Sequence, residues 1–107
     1  MTDAFTTAGF LALSGALLAI GLFGILTRRN FILLLVSIEI AVNAAVLNFV
    51  YFAAFAPTTA EALNGQSAAI VIVALAATEI AVGLAIVLGL NRLRGSIDVT
   101  GATDLRL

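Results

Sequence analysis

Three uninterrupted apolar runs, at about residues 5–27, 31–55 and 67–90, set what this chain can fold into. The hydrocarbon core of a bilayer is about 30 Å thick, so a spanning helix needs roughly 20 apolar residues, and each run meets that length. Inside lipid every backbone N–H and C=O must be satisfied within the protein, which leaves the α-helix as the form for an isolated run. Little chain remains outside the runs: positions 28–30, about ten residues at 56–66, and a short tail from Asn91. The reading is an all-α integral membrane protein, with residues 1–107 forming a single membrane domain of three transmembrane helices.

Composition supports lipid as the solvent. Hydrophobic residues make up 63% of the 107 and charged residues 10%, whereas about a quarter of a water-soluble domain is charged. A signal peptide would carry a basic leader, but Asp3 is the only charge ahead of the first run. Cysteine and histidine are absent, which excludes thiolate or imidazole metal sites, haem held by either residue, and protein-ligated iron–sulfur clusters. No Gly-rich phosphate loop appears. Any redox chemistry must therefore take place in another chain, and no cofactor or metal is expected in this one.

The arginines orient the helices, because basic residues stay on the cytoplasmic side. Arg28 and Arg29 follow the first run, Arg92 and Arg94 follow the third, and Arg106 lies in the tail, while the loop at 56–66 carries only Glu61. The N-terminus is thus expected outside and the C-terminus in the cytoplasm. Pro57 ends the second helix near Phe55 or Ala56. Beyond it, Thr58 and Glu61 have capping-box spacing and Asn64-Gly65 is a turn dipeptide, so a loop holding one short helical turn is expected before the third helix. Phe49, Tyr51, Phe52 and Phe55 read as an interfacial aromatic belt and packing residues. Gly15 and Ala19, and Ala74, Ala77, Ala81 and Ala85, are small residues at helical spacing that would let helices approach closely.

Glu39 and Glu79 stand apart from everything else in the apolar runs. Glu39 lies ten residues beyond Arg29, about 15 Å along a helix, and Glu79 thirteen before Arg92, about 20 Å, so both are near mid-membrane. An ionised carboxylate there costs about 3 kcal/mol or more and should face protein or water. Low dielectric penalises the charged form, so such a group can take up and release a proton, as a relay requires. Asn43, one turn after Glu39, shares its face, while Ser37 and Asn48 point roughly the opposite way. The face of Glu79 carries Ile72, Leu75, Ala76, Gly83 and Ile86, with Thr78 about 100° round. Neutral hydrogen-bonding glue between helices is the alternative. Two carboxyls at matching depth on adjacent helices favour the relay.

The chain resembles the small K, or 4L, membrane subunit of proton-pumping NADH:quinone oxidoreductase, respiratory complex I. The likeness runs almost end to end, through Gly21-Leu22-Phe23-Gly24 with Arg28-Arg29-Asn30, Ile38-Glu39-Ile40 with Asn43-Ala44, Ala76-Ala77-Thr78-Glu79 with Gly83-Leu84-Ala85, and Ser96-Ile97-Asp98-Val99. The resemblance implies that Glu39 and Glu79 pass protons, or the electrostatic signal that drives pumping, between the quinone end of the complex and antiporter-like subunits. Arg28 and Arg29, with Asn43, are the supporting residues. It also implies that NADH, FMN, iron–sulfur clusters and quinone belong to other subunits. The location implied is a bacterial inner membrane, as a multi-pass protein, with no nucleic acid among the partners. Small subunits of multisubunit cation/proton antiporters and of membrane-bound hydrogenases look similar. Other classes are a homo-oligomeric proton-coupled transporter, a rotary-ring subunit, which usually needs one carboxylate and two helices, and a purely structural membrane adaptor.

Overall fold

A computed structural model describes residues 3–95 and 97–100. Arg106 and Ser96 lie outside the described residues. The described chain is all-α, with α1 at Ala4–Thr27, α2 at Phe31–Ala54 and α3 at Thr59–Arg94. All three are long and apolar enough to cross a membrane, and this is a multi-pass membrane protein.

Each helix begins on a side chain that satisfies backbone donors left open in the first turn. Asp3 accepts from the Phe5 amide, Asn30 Oδ1 from those of Ile32 and Leu33, and Thr58 Oγ1 from that of Glu61. At its far end α3 stops on Gly95, whose left-handed backbone (φ 70°) puts its amide on the Asn91 carbonyl at 2.7 Å.

The third helix starts eight residues before Ser67, where the sequence reading begins it. The Thr58–Glu61 signal marks the true start of α3, and the connection from α2 shrinks to residues 55–58. Asn64-Gly65 makes no turn. Gly65 is helical and serves close packing, since a Cβ built there would lie 2.7 Å from the Ala53 Cβ.

α2 packs against both other helices. On the α1 side a Cβ at Gly21 would lie 2.7 Å from both the nitrogen and the Cβ of Ala41, and one at Gly24 would collide with Ser37. Ser14 and Ser37 are buried, and their hydroxyls donate to the carbonyls of Leu11 and Leu33. Near the Pro57 end Tyr51 is buried, stacked on Phe10 with ring centroids 4.3 Å apart, and its hydroxyl shares a 2.8 Å hydrogen bond with Thr7. Tyr51 is thus a packing residue, whereas Phe49, Phe52 and Phe55 remain exposed.

Small residues do make the close approaches, though not those expected. A Cβ at Gly15 would meet nothing within 4 Å, and Ala19, Ala74, Ala77, Ala81 and Ala85 are all exposed. An alanine-rich helix offers small residues on several faces, and the partner's shape selects among them.

Candidate functional site

The positions of the two glutamates follow from how α3 lies on α2. A Cβ at Gly83 would meet the side chain of Leu35, and one at Gly65 would meet Ala53. Leu35 to Ala53 is eighteen residues along α2, and Gly65 to Gly83 is eighteen along α3. Eighteen residues make five turns, so the two contacts lie on one line down each helix and hold a single antiparallel register. Glu39 is four residues from Leu35 and Glu79 four from Gly83, both toward the Pro57 end. The two carboxyl-bearing positions therefore stand level. Their unequal distances from the arginines arise because Arg92 overhangs the level of Arg29 by three residues, about 5 Å.

Level does not mean adjacent. Four residues exceed one turn by about 40°, and both steps run toward the same end of two right-handed helices, so both rotate in the same sense seen from that end. On facing helices that rotation carries the side chains to opposite sides of the contact line. The surroundings agree. Glu79 opens on a groove of 410 Å³ walled by Leu75, Thr78, Val82, Gly83 and Ile86, all from α3, and Glu39 is not among them. Ser37 faces Gly24 of α1, so α1 covers the part of α2 pointing away from Glu39.

Glu39 is half-buried and Glu79 exposed. The chain alone encloses neither of them. Asn43 lies one turn past Glu39 and is exposed, and no hydrogen bond joins the two among the described residues. Thr78 sits in the groove beside Glu79, its hydroxyl donating to the Ala74 carbonyl at 2.7 Å. Of the face predicted for Glu79, Ala76 is buried and Ile72 and Gly83 half-buried, whereas Leu75 and Ile86 are exposed. A larger groove of 580 Å³ runs between α2 and α3 at the Pro57 end, lined by Asn48, Phe52, Glu61 and Gly65 among others, and includes neither Glu39 nor Glu79. Among the described residues no three His, Cys, Asp or Glu gather to hold a metal ion.

At the other end, the arginine pair is held by a contact that sequence reasoning missed. Asn30 and Asp98 form an isolated antiparallel bridge. The Phe31 amide donates to the Ile97 carbonyl at 3.0 Å, and the Val99 amide to the Arg29 carbonyl at 2.6 Å. Asp98 Oδ1 accepts from the amide and hydroxyl of Thr100. Those two bonds, with the nearby Arg29 charge, hold the Asp98 carboxyl below its ordinary pKa. Arg28 and Arg29 are both exposed on the strapped loop.

Comparison with known proteins bears on what such a chain is. The pattern of the family described as NADH-ubiquinone/plastoquinone oxidoreductase chain 4L matches residues 9–106. NADH-quinone oxidoreductase subunit K of Deinococcus radiodurans is 42% identical over 106 residues, 99% of each chain. Subunit 11 of the Thermus thermophilus enzyme is 43% identical over 97 residues, covering 91% of this chain and 97% of that one. The chloroplastic NAD(P)H-quinone oxidoreductase subunit 4L of Mesostigma viride is 43% identical over 90 residues, 84% and 87% of the two chains. With three apolar helices in the same short length and likeness extending over nearly all of it, the chain belongs to the subunit K, or chain 4L, family of NADH-quinone oxidoreductases.

Proposed function

We propose that this chain is a non-redox subunit in the membrane arm of an NADH:quinone oxidoreductase, where Glu39 and Glu79 are links in the proton translocation coupled to electron transfer from NADH to quinone. The observation that carries the reading is the placement of two carboxyl positions at one level, on helices in direct contact, opening to opposite sides of the seam. A protonatable group exposed at mid-membrane is tolerated only against protein or water. Glu79 therefore calls for cover by another chain, and the opposite opening of Glu39 calls for different cover. A charge or proton moving laterally through the membrane arm would enter at one carboxyl, cross the α2–α3 seam and leave by the other. Asn43, one turn past Glu39, would hold a water beside it.

NADH, FMN, iron–sulfur clusters and quinone would sit in other subunits, and antiporter-like subunits are among the expected neighbours. With basic residues kept to the cytoplasm, Arg28, Arg29, Arg92 and Arg94 would face inward and the Pro57 connection outward, in a bacterial inner membrane.

The test is proton transport by the assembled enzyme. Glu39→Gln removes the titratable group while keeping size and hydrogen-bonding capacity, and is expected to leave assembly intact while severely reducing quinone-coupled proton transport. Glu79→Gln should act in the same direction and more weakly, because its groove has no counterpart of Asn43. Normal pumping by a correctly assembled Glu39→Gln enzyme would rule out the relay role.

A further inference from the structure

Two cavities meet at the strapped arginine loop. One, of 420 Å³, is polar on one side, lined by Arg28, Arg29, Asn30 and Asp98. The other, of 200 Å³, runs between α1 and α2 along Ile20, Phe23, Val36 and Ile40. Arg28 and Leu33 line both, so the polar cavity and the apolar crevice lie side by side at the arginine loop. Since α1 ends at Thr27 and α2 begins at Phe31, the loop lies at the boundary between hydrocarbon and water, and the crevice leads from it toward the membrane centre. The tail's backbone bonds to Phe31 and Arg29 fix this arrangement from the aqueous side.

The charges in the cavity are unequal in what they can offer. Arg29 and Asp98 line the same cavity with opposite charges, so their net contribution to it is near zero. Arg28 is exposed, and while its backbone amide donates to the Gly24 carbonyl, its guanidinium has no hydrogen-bond or ion-pair partner among the described residues. The site thus presents one uncompensated guanidinium, with its five donors in a planar fork suited to phosphate, above an apolar slot. Free phosphate would use only the first half. An amphiphile with an anionic phosphate head and an acyl chain uses both.

We propose that this loop and the α1–α2 crevice form a binding site for an anionic phospholipid of the leaflet on the arginine side, with Arg28 as the principal phosphate contact and the acyl chain seated along Phe23 and Val36. The site is independent of the relay reading of the glutamates.

The experiment uses native membranes containing the protein and two photoactivatable probes carrying the same acyl-chain label, phosphatidylglycerol and phosphatidylcholine, with labelled peptides located by mass spectrometry. Phosphatidylglycerol is expected to label the α1–α2 crevice in preference to phosphatidylcholine. Arg28→Gln should lower that labelling about fivefold, the effect of one basic residue at an anionic surface. Arg28→Lys should retain most of it, Arg29→Gln should lower it less than Arg28→Gln, and inorganic phosphate should not compete. Equal labelling by the two probes would overturn the proposal. So would unchanged labelling in Arg28→Gln, competition by inorganic phosphate, or no labelling of the wild-type crevice, the result expected if another protein chain fills it. Should Arg28→Gln fail to accumulate, the Arg28→Lys variant and the phosphatidylcholine arm still decide the matter.

Discussion

Along the seam between α1 and α2, Gly21 meets the backbone of Ala41, buried serines line the contact, and a tyrosine–threonine hydrogen bond closes one end. Along the seam between α2 and α3, Gly83 meets the flexible end of Leu35, and each flank carries a carboxyl that the chain does not enclose. From Gly21 toward Tyr51 the first seam is closed within the chain, because its polar groups find partners there and its backbones approach closely, and it opens only as the crevice beside the arginine loop. The second is a platform whose flanks need other chains. In lipid, packing and internal hydrogen bonds supply helix association without a hydrophobic drive between helices, so the difference sets which substitutions damage the chain itself and which damage only what it does.

The largest effect on the fold is expected from Gly21→Val. The added atoms would meet the Ala41 backbone at 2.7 Å, which cannot give way as a rotamer can, and overpacking of this kind costs about 1–3 kcal/mol or more. The measurement is the amount of chain retained in the membrane. Gly83→Ala adds a Cβ 2.6 Å from Leu35 Cδ2, a methyl that can swing aside, so the chain should accumulate almost normally. If Gly83→Ala proves the worse of the two, the contrast between the seams is wrong. Tyr51→Phe removes the hydroxyl bonded to Thr7 and keeps the stacking on Phe10. It should cost about 0.6 kcal/mol, as interhelical hydrogen bonds in membranes commonly do, read from thermal unfolding in detergent.

The smallest effect belongs to the strap. The Asp98 carboxyl has a lowered pKa, chiefly through the Thr100 amide, then its hydroxyl, with Arg29 adding to them. Its contribution is therefore present above the ordinary carboxylate pKa and lost as pH falls through the lowered value. Asp98→Asn should modestly speed hydrogen exchange at the Val99 amide at neutral pH and remove the acid dependence of that exchange. An unchanged acid dependence would assign it to another group.

Much of this was legible in the sequence because bilayer thickness is a simple ruler. The apolar runs marked the three helices, Pro57 marked the end of α2, and the arginines and glutamates stood out against an apolar background. The start of α3 was misread because Asn64-Gly65 is a turn signal only where no neighbour approaches, and here Ala53 does. Gly15 and Ala19 looked as suited to packing as Gly21 and Gly24 do, and only the shape of α2 separates them. The strap could not be read at all, since its bonds join backbone to backbone and leave no trace in residue type. At the site, both glutamates stood out in the sequence by their charge within the apolar runs. Their common level and opposite openings did not, because these depend on the register between two helices, which Gly65 and Gly83 set together.

The central claim is that Glu39 and Glu79 are consecutive links of one relay across the α2–α3 seam, and a kinetic cycle in the assembled oxidoreductase tests it most directly. Glu39→Asp and Glu79→Asp each keep a titratable carboxyl while shortening its reach, so each should slow proton transport without abolishing it. For links in series the slower step governs, and the double variant should transport protons at about the rate of the slower single variant. On two independent paths the fluxes would add, each single variant would keep the other path's share and only the double variant would lose both, so a double variant far slower than the slower single variant would contradict the account.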